Sequence, residues 1–408
     1  MGRPVVISTT LLRPRFLNST LCRTILIFVF LAFFHQQRLF WTYRNALSAK
    51  YSQTRFPEVP PGSWRQVAQP SSLDVHRLLK TRKDWKILGH GWEGNTFLFE
   101  GSVIKTFKPG RSPFRNCVPN AKGKGDQGAR WPTEIPASLT FGHVWDGVLA
   151  SASNASGGFV PVESWFMAPS SSSVPEWHLV TPFLPGGSLD SLAHKLRASN
   201  NKGFRDLDMQ YRPSFNRLLR TFNTLHASGF CHDDVKPSNV FLQNSSHWLL
   251  GDLGNVRNID HPFHSSQIWR DNHQLEDCRA NDVVRALKSY LQFIRAAAND
   301  SFVFDEVFFE GKETLSRLFW WTIDDAKVMS AEELRVRSEV ESPMQTARPY
   351  ALVSASSYKE PSLLRRIFVS RCKRLSHAVN IALRARFSER HARFMAMTWV
   401  FGIQVSDC

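Results

Sequence analysis

The spacing of apolar residues changes along this chain, and each change predicts a different kind of element. Residues 24–34 form an unbroken apolar run inside "RTILIFVFLAFFHQQRLFW". From about residue 85 the pattern is alternation: "NTFLFEGSVIKTF" sets apolar and polar residues in turn on both sides of Glu100-Gly101, which predicts a hairpin. "FVPVESWFM" (159–167) and "EWHLVTPFL" (176–184) predict two further strands. From Pro213 the period lengthens, with Phe215, Leu218, Leu219, Phe222 and Leu225 at helical spacing before a stop at Gly229. A second hairpin follows, "VFL" (240–242) turning through "QNSSH" into "WLLGD" (248–252). "ANDVVRALKSYLQFIRAA" (280–297) then predicts an amphipathic helix, and "ETLSRLFWW" and "SAEELRVRSEV" continue the helical pattern. The expected class is α+β, a small strand-rich front and a larger helix-rich back.

Composition changes this picture mainly at the ends. The chain has 408 residues and a net charge of +16, but residues 1–57 hold eight Arg/Lys and no acid, and residues 361–408 hold nine Arg/Lys against Glu389 and Asp407. Residues 58–360 are left with 34 basic and 33 acidic side chains, so the high charge belongs to the ends, which weakens a nucleic-acid reading of the body and leaves no nucleic-acid partner expected. The Pro/Ser-rich stretch 56–72 predicts a linker, and 108–130 a long loop. The run 24–34 predicts a membrane anchor or interfacial segment, with a mitochondrial presequence or a cytoplasmic chain as alternatives. The tail 361–396 reads as a basic amphipathic helix, placed either on an anionic membrane or against the helical lobe. The six cysteines are scattered without a CxxC pair and suggest neither a zinc site nor a disulfide framework. Sequons begin at Asn18, Asn154, Asn244 and Asn299 and matter only if the chain faces a secretory lumen.

The chemistry is concentrated in "CHDDVKPSNVFL" (231–242). A tight hairpin returns the chain to its start, so folding "VFL" onto "WLL" brings Asn239 and Asp252 to one end of the ladder. A carboxamide oxygen and a carboxylate together suit Mg²⁺ bridging phosphates. Asp234 can orient a hydroxyl nucleophile, and Lys236 can neutralise charge on a transferred phosphoryl group.

These residues resemble the protein-kinase superfamily. "HDDVKPSN" is similar to the catalytic loop of serine/threonine kinases, and "GDLGN" to the D-F-G segment with Leu253 in place of Phe. The resemblance implies a bilobal kinase-like fold over residues 84–345, with an N-lobe at 84–180 and a C-lobe at 181–345, between a leader (1–57) with its linker (58–83) and a tail (346–408). It implies that Gly89, Gly91 and Gly94 form the glycine-rich loop over the phosphates of ATP and that Lys105 supplies a charge to them. Pro182 and Leu184 would lie at the adenine hinge, and Asn239 and Asp252 would hold Mg²⁺. Glu134 is the candidate partner of Lys105, although Pro132 and Pro136 place it at a helix start, where an acid also suits the helix dipole. Asp282 would anchor the catalytic-loop backbone or serve as an ordinary helix-start acid.

Two departures bear on function. Asp233 stands where many kinases carry arginine, which removes the usual partner of a phosphorylated activation loop. Only 30 positions separate Asp252 from Asp282 and no A-P-E follows, so the substrate platform is abbreviated. The expectation is a monomeric enzyme that moves the γ-phosphoryl of ATP to Ser/Thr of a protein. A small-molecule hydroxyl as acceptor, or a pseudokinase scaffold, remain the alternatives.

Overall fold

The alternating segments at the front pair into one antiparallel sheet. In the computed structural model, which describes residues 20–52, 54–56, 75–91, 94–107, 132–142, 158–169, 175–199, 202–341, 371–384 and 394–395, this sheet has the order β1-β2-β3-β5-β4. Its strands are β1 (Lys86–His90), β2 (Gly94–Phe99), β3 (Ser102–Phe107), β4 (Ser164–Pro169) and β5 (Pro175–Pro182). The hairpin predicted at Glu100-Gly101 forms with φ of 46° and 82°, the left-handed pair that matches strand twist. Neighbouring residues face opposite sides: Leu179 packs with Phe107, Ile135 and Trp177, and Val180 with Leu78, Trp85 and Ile104. Helix α2 (Val75–Lys80) supplies Leu78, so ordered packing begins inside the segment expected as linker. Residues 58–74 of that segment, the loop 108–130, the sequons at Asn18 and Asn154 and most of the tail lie outside the described residues.

Helix α3 (Glu134–Gly142) crosses from the sheet to the helical lobe. There α4 (Leu189–Ser199), α5 (Phe204–Ala227), α7 (Cys278–Ala297), α8 (Ser301–Phe308), α9 (Thr314–Asp324) and α10 (Ala331–Val340) enclose the main core. Helix α5 begins at Phe204, earlier than its periodicity from residue 213 predicts, and it carries Pro213 internally. Buried Leu207 and Tyr211 extend the apolar stripe across the proline, and this burial offsets the lost backbone bond. Phe215 of α5 stacks on Tyr290 of α7 at 4.4 Å, joining the two longest helices of the lobe at its centre.

Between α5 and α7 lie β6 (Phe230–Cys231), the hairpin β7 (Val240–Leu242) with β8 (Trp248–Leu250), β9 (Arg257–Asn258) and α6 (Gln267–Asp271). β6 pairs with β9, and Val240 faces Leu250. Cys231 ends β6 and Cys278 begins α7, and the two form a disulfide across 47 positions. The bond is one that the scattered cysteine spacing does not suggest. No local spacing announces the bond, because only the packing of α7 beneath β6 brings the two sulfurs together. Closing so long a loop removes denatured-chain entropy worth about 4 kcal/mol.

The two ends depart from simple appendages. Helix α1 (Thr20–Lys50) is continuous. Its first half is exposed, but Leu39, Tyr43, Ala46 and Leu47 pack on Cys231, Phe263, Ile268, Trp269 and Cys278. The Tyr43 hydroxyl donates to Asp271. The helix Arg371–Ala382 lays Ala378 and Val379 onto the helical lobe, and Arg295 donates to Ser376 and Asn380. Over these residues the tail's apolar face is turned inward, so its expected membrane contact is not supplied there.

Removing the central aromatic contact tests this architecture. Phe215→Ala should destabilise the protein by about 3–5 kcal/mol in denaturant or thermal unfolding. A loss under about 1 kcal/mol would mean that α5 and α7 are not packed through this ring.

Candidate active site

The site is assembled from both lobes around a cleft of about 770 Å³. Lys105 sits in the middle of β3, paired with Thr96 on one side and Leu179 on the other. Its ammonium contacts the Glu134 carboxylate and lies 2.8 Å from Asp252 Oδ1. Glu134 does stand in the first turn of α3, but that turn packs over Leu253–Asn255, which carries the carboxylate to Lys105. Burial alone would lower the Lys105 pKa, yet Asp252 and Glu134 outweigh it and hold it above its ordinary value. Lys105 in turn holds the Asp252 carboxyl well below the usual carboxylate range, against the opposing effect of burial.

Gly89, Gly91, Pro182 and Leu184 line the same cleft, with Val103 and Phe241. Gly94 does not. It lies in β2 against β3, where a Cβ would come within 1.6 Å of the Thr106 carbonyl oxygen. Its lack of a side chain serves strand contact, while the Gly91 amide donates to the Gly94 carbonyl at 2.8 Å and closes the turn.

The hairpin β7–β8 brings Asn239 and Asp252 together at its open end, where the Gly251 amide donates to the Asn239 carbonyl at 2.9 Å. Asn239 Nδ2 donates to the Asp234 carbonyl at 2.9 Å, and Lys236 Nζ lies 2.7 Å from Asp234 Oδ2. Asp282, fully buried in the first turns of α7, accepts the amides of His232 at 2.6 Å and Asp233 at 3.0 Å. His232 Nδ1 accepts the Asp234 amide at 3.3 Å, so its Nε2 carries the proton and donates to the Gly251 carbonyl at 3.1 Å. This imidazole couples the two halves of the site. Asp233 and Asp252 both adopt left-handed backbone, φ 63° and 55°, at a cost that aspartate bears better than most residues.

The partners of Asp233 carry no signal in the local sequence. Its buried carboxylate pairs with Arg257 at 3.0 Å and His264 at 2.9 Å, and Arg257 also donates to the Lys50 carbonyl of α1 at 3.1 Å. The departure at 233 thus comes with a cation supplied from β9, a swap of charges that one aligned position could not reveal. Burial pulls the His264 pKa down, but the hydrogen bond and charge of Asp233 prevail and leave it above its ordinary 6.5. Burial would raise Asp233, yet His264 and Arg257 bring it down to about 2. His261, lowered to about 4 mainly by burial, stays neutral beside them.

A raised folded-state pKa contributes stability that is complete below the unfolded value and is lost as pH rises through the folded value. Asp233 contributes in the opposite sense and holds until pH falls toward about 2. The thermal midpoint should therefore fall as pH rises above the ordinary 6.5 of His264. His264→Gln should flatten that slope. An equal slope in both proteins would show that His264 carries no stabilising charge.

A protein kinase domain profile matches residues 166–281. The chain is 27% identical over 209 residues to the serine/threonine-protein kinase UCNL of Arabidopsis thaliana, covering 51% of this chain and 43% of that protein. It is 26% identical over 197 residues to the serine/threonine-protein kinase UCN of the same plant, 48% of this chain and 42% of the relative. Over a shorter stretch of 83 residues it is 32% identical to the serine/threonine-protein kinase PKH3 of Saccharomyces cerevisiae, 20% of this chain and 8% of that one. The matches thus span less than half the length of these relatives. Joined to a five-stranded sheet over a helical lobe, with Lys105 and Asp252 meeting across the cleft, they place the chain in the protein-kinase superfamily.

Proposed function

We propose that the chain is a serine/threonine protein kinase that uses ATP with Mg²⁺. The observation that carries this reading is the convergence of Lys105 and Glu134 with Asp252 on one cleft, beside the Asp234–Lys236–Asn239 loop. Val103 and Phe241 offer apolar surface for a purine near Pro182 and Leu184, and Gly89 and Gly91 let backbone approach phosphates. Lys105 contributes a point charge to the phosphate oxygens. Asp252 and Asn239 offer hard oxygen donors, and Asn239 commits Nδ2 to the Asp234 carbonyl, which leaves Oδ1 as the ligand-type atom. This donor set fits Mg²⁺, which when bound would neutralise charge on the transferred group. Asp234 would orient the acceptor hydroxyl and take its proton, with Lys236 stabilising charge beside it.

The names of the relatives support a protein hydroxyl as the acceptor. One feature favours a second reading, a compact small-molecule acceptor. A cavity of about 680 Å³ on the Asp234 side is walled not only by Lys236, Asn255 and Trp269 but by Lys50 of α1, by Asn380 of the tail helix and by Arg384 just after it.

We also infer that the first half of α1 associates with a membrane. Ile25, Ile27, Phe28, Val29, Phe30, Leu31 and Phe34 are all more than half exposed and point around the whole helix circumference. Such a helix has no polar face to turn toward water.

Asp234→Asn should lower ATP-dependent phosphorylation about 10²–10⁴-fold while leaving nucleotide affinity nearly unchanged. Lys105→Met should weaken both turnover and nucleotide binding. Binding of ATP without turnover by either the native protein or Asp234→Asn, on polypeptides and on small hydroxyl compounds alike, would sink the enzyme reading. Turnover confined to small hydroxyl compounds would select the second acceptor class.

A further inference from the structure

The disulfide Cys231–Cys278 lies in the heart of the catalytic lobe, both residues at most 1% exposed. It ties the residue before His232 to the first residue of α7, one turn ahead of Asp282. Such bonds persist in secretory and extracellular compartments and are rare in the reducing cytosol. A second, independent feature is the exposed stretch 25–34 of α1. From Thr20 to Gln36 this helix rises about 25 Å, a little short of a bilayer core, with Arg23 able to snorkel at one end. Arg3, Arg13, Arg15 and Arg23 precede or open the run, and Arg38, Arg44, Lys50 and Arg55 follow it. The two flanks are balanced in charge, so the buried disulfide, not the flanks, points the body to the oxidising side.

The third feature is the placement of two sequons. Asn244 is exposed in the turn between β7 and β8, the end of that hairpin remote from Asn239 and Asp252. Its Oδ1 accepts the amides of Ser246 at 3.0 Å and His247 at 2.8 Å. The amide nitrogen, the atom a glycan would join, is outside these bonds. Asn299 is exposed in the link between α7 and α8, with Ser301 as the sequon hydroxyl. A glycan at either position would extend from a surface turn without entering the cleft.

We propose that the catalytic domain faces the oxidising lumen of a secretory compartment, tethered by the first half of α1, and that Asn244 and Asn299 accept N-linked glycans. This rests on the membrane reading of α1 but not on catalysis, and its test reads no turnover, so it can fail while the kinase assignment stands.

The full chain would be translated in the presence of endoplasmic-reticulum microsomes. The expected result is a mobility shift removed by peptide N-glycosidase, reduced by one glycan in Asn244→Gln and by one in Asn299→Gln. The body should resist added protease until detergent is present. Unreduced peptide mapping should recover Cys231 linked to Cys278. A body digested without detergent would overturn the luminal placement, whatever the variants do. A shift unchanged by both substitutions would overturn the two glycan sites. Cys231 and Cys278 that alkylate in denaturant without prior reduction would overturn the oxidising environment. The protease and thiol readouts use the native chain, so they hold even if a glutamine variant folds poorly.

Discussion

A single buried carboxylate organises the helical lobe. Asp282 has no exposure to solvent, and a charge so placed is tolerated only when hydrogen bonds replace the water it has lost. It receives them from the amides of His232 and Asp233 and from His226. Those amides are available because Asp233 adopts a left-handed backbone, which turns the loop back over the start of α7. From this one anchor follow the position of the His232 ring, its bond to the Gly251 carbonyl, and therefore the spacing between the loop and Asp252. The disulfide reinforces the same joint covalently, since its two cysteines flank the anchored segment.

The stretch between Asp252 and α7 is held by a different means. A short chain between Asp252 and α7 cannot build an extensive platform of its own, and it leans on elements outside the core of the domain. Helix α1 covers Phe263, Ile268 and Trp269, and Arg257 spans from Asp233 to the carbonyl that ends α1. Burial of aromatic surface and the Arg257–Asp233–His264 cluster together hold this stretch against the end of α1. The helix that carries the exposed apolar stretch is thus continuous with one that touches the active lobe.

Much of the site was legible from local spacing. The hairpin after Asn239 has no freedom to place Asp252 elsewhere, because antiparallel pairing of Val240 with Leu250 returns the chain to its origin. Lys105 in a strand and Asp234 in a loop follow from alternation and its interruption. Glu134 was harder, since proline on either side argues for a helix start, and whether a first-turn acid can reach Lys105 depends on how α3 tilts over Leu253–Asn255. Gly94 shows the limit of a motif, as its spacing fits a phosphate loop while its surroundings require a glycine for strand contact.

The amino-acid sequence by itself determined the elements and the short-range chemistry, because helix and strand periodicity and tight turns act over a few residues. Tertiary structure alone decided the pairing of Cys231 with Cys278, the exchange of charge between Asp233 and Arg257, and the docking of α1 and of the helix Arg371–Ala382 onto the body. Each of these joins residues far apart in the chain. Their meeting depends on how whole helices pack, and no local pattern of side chains encodes that distance.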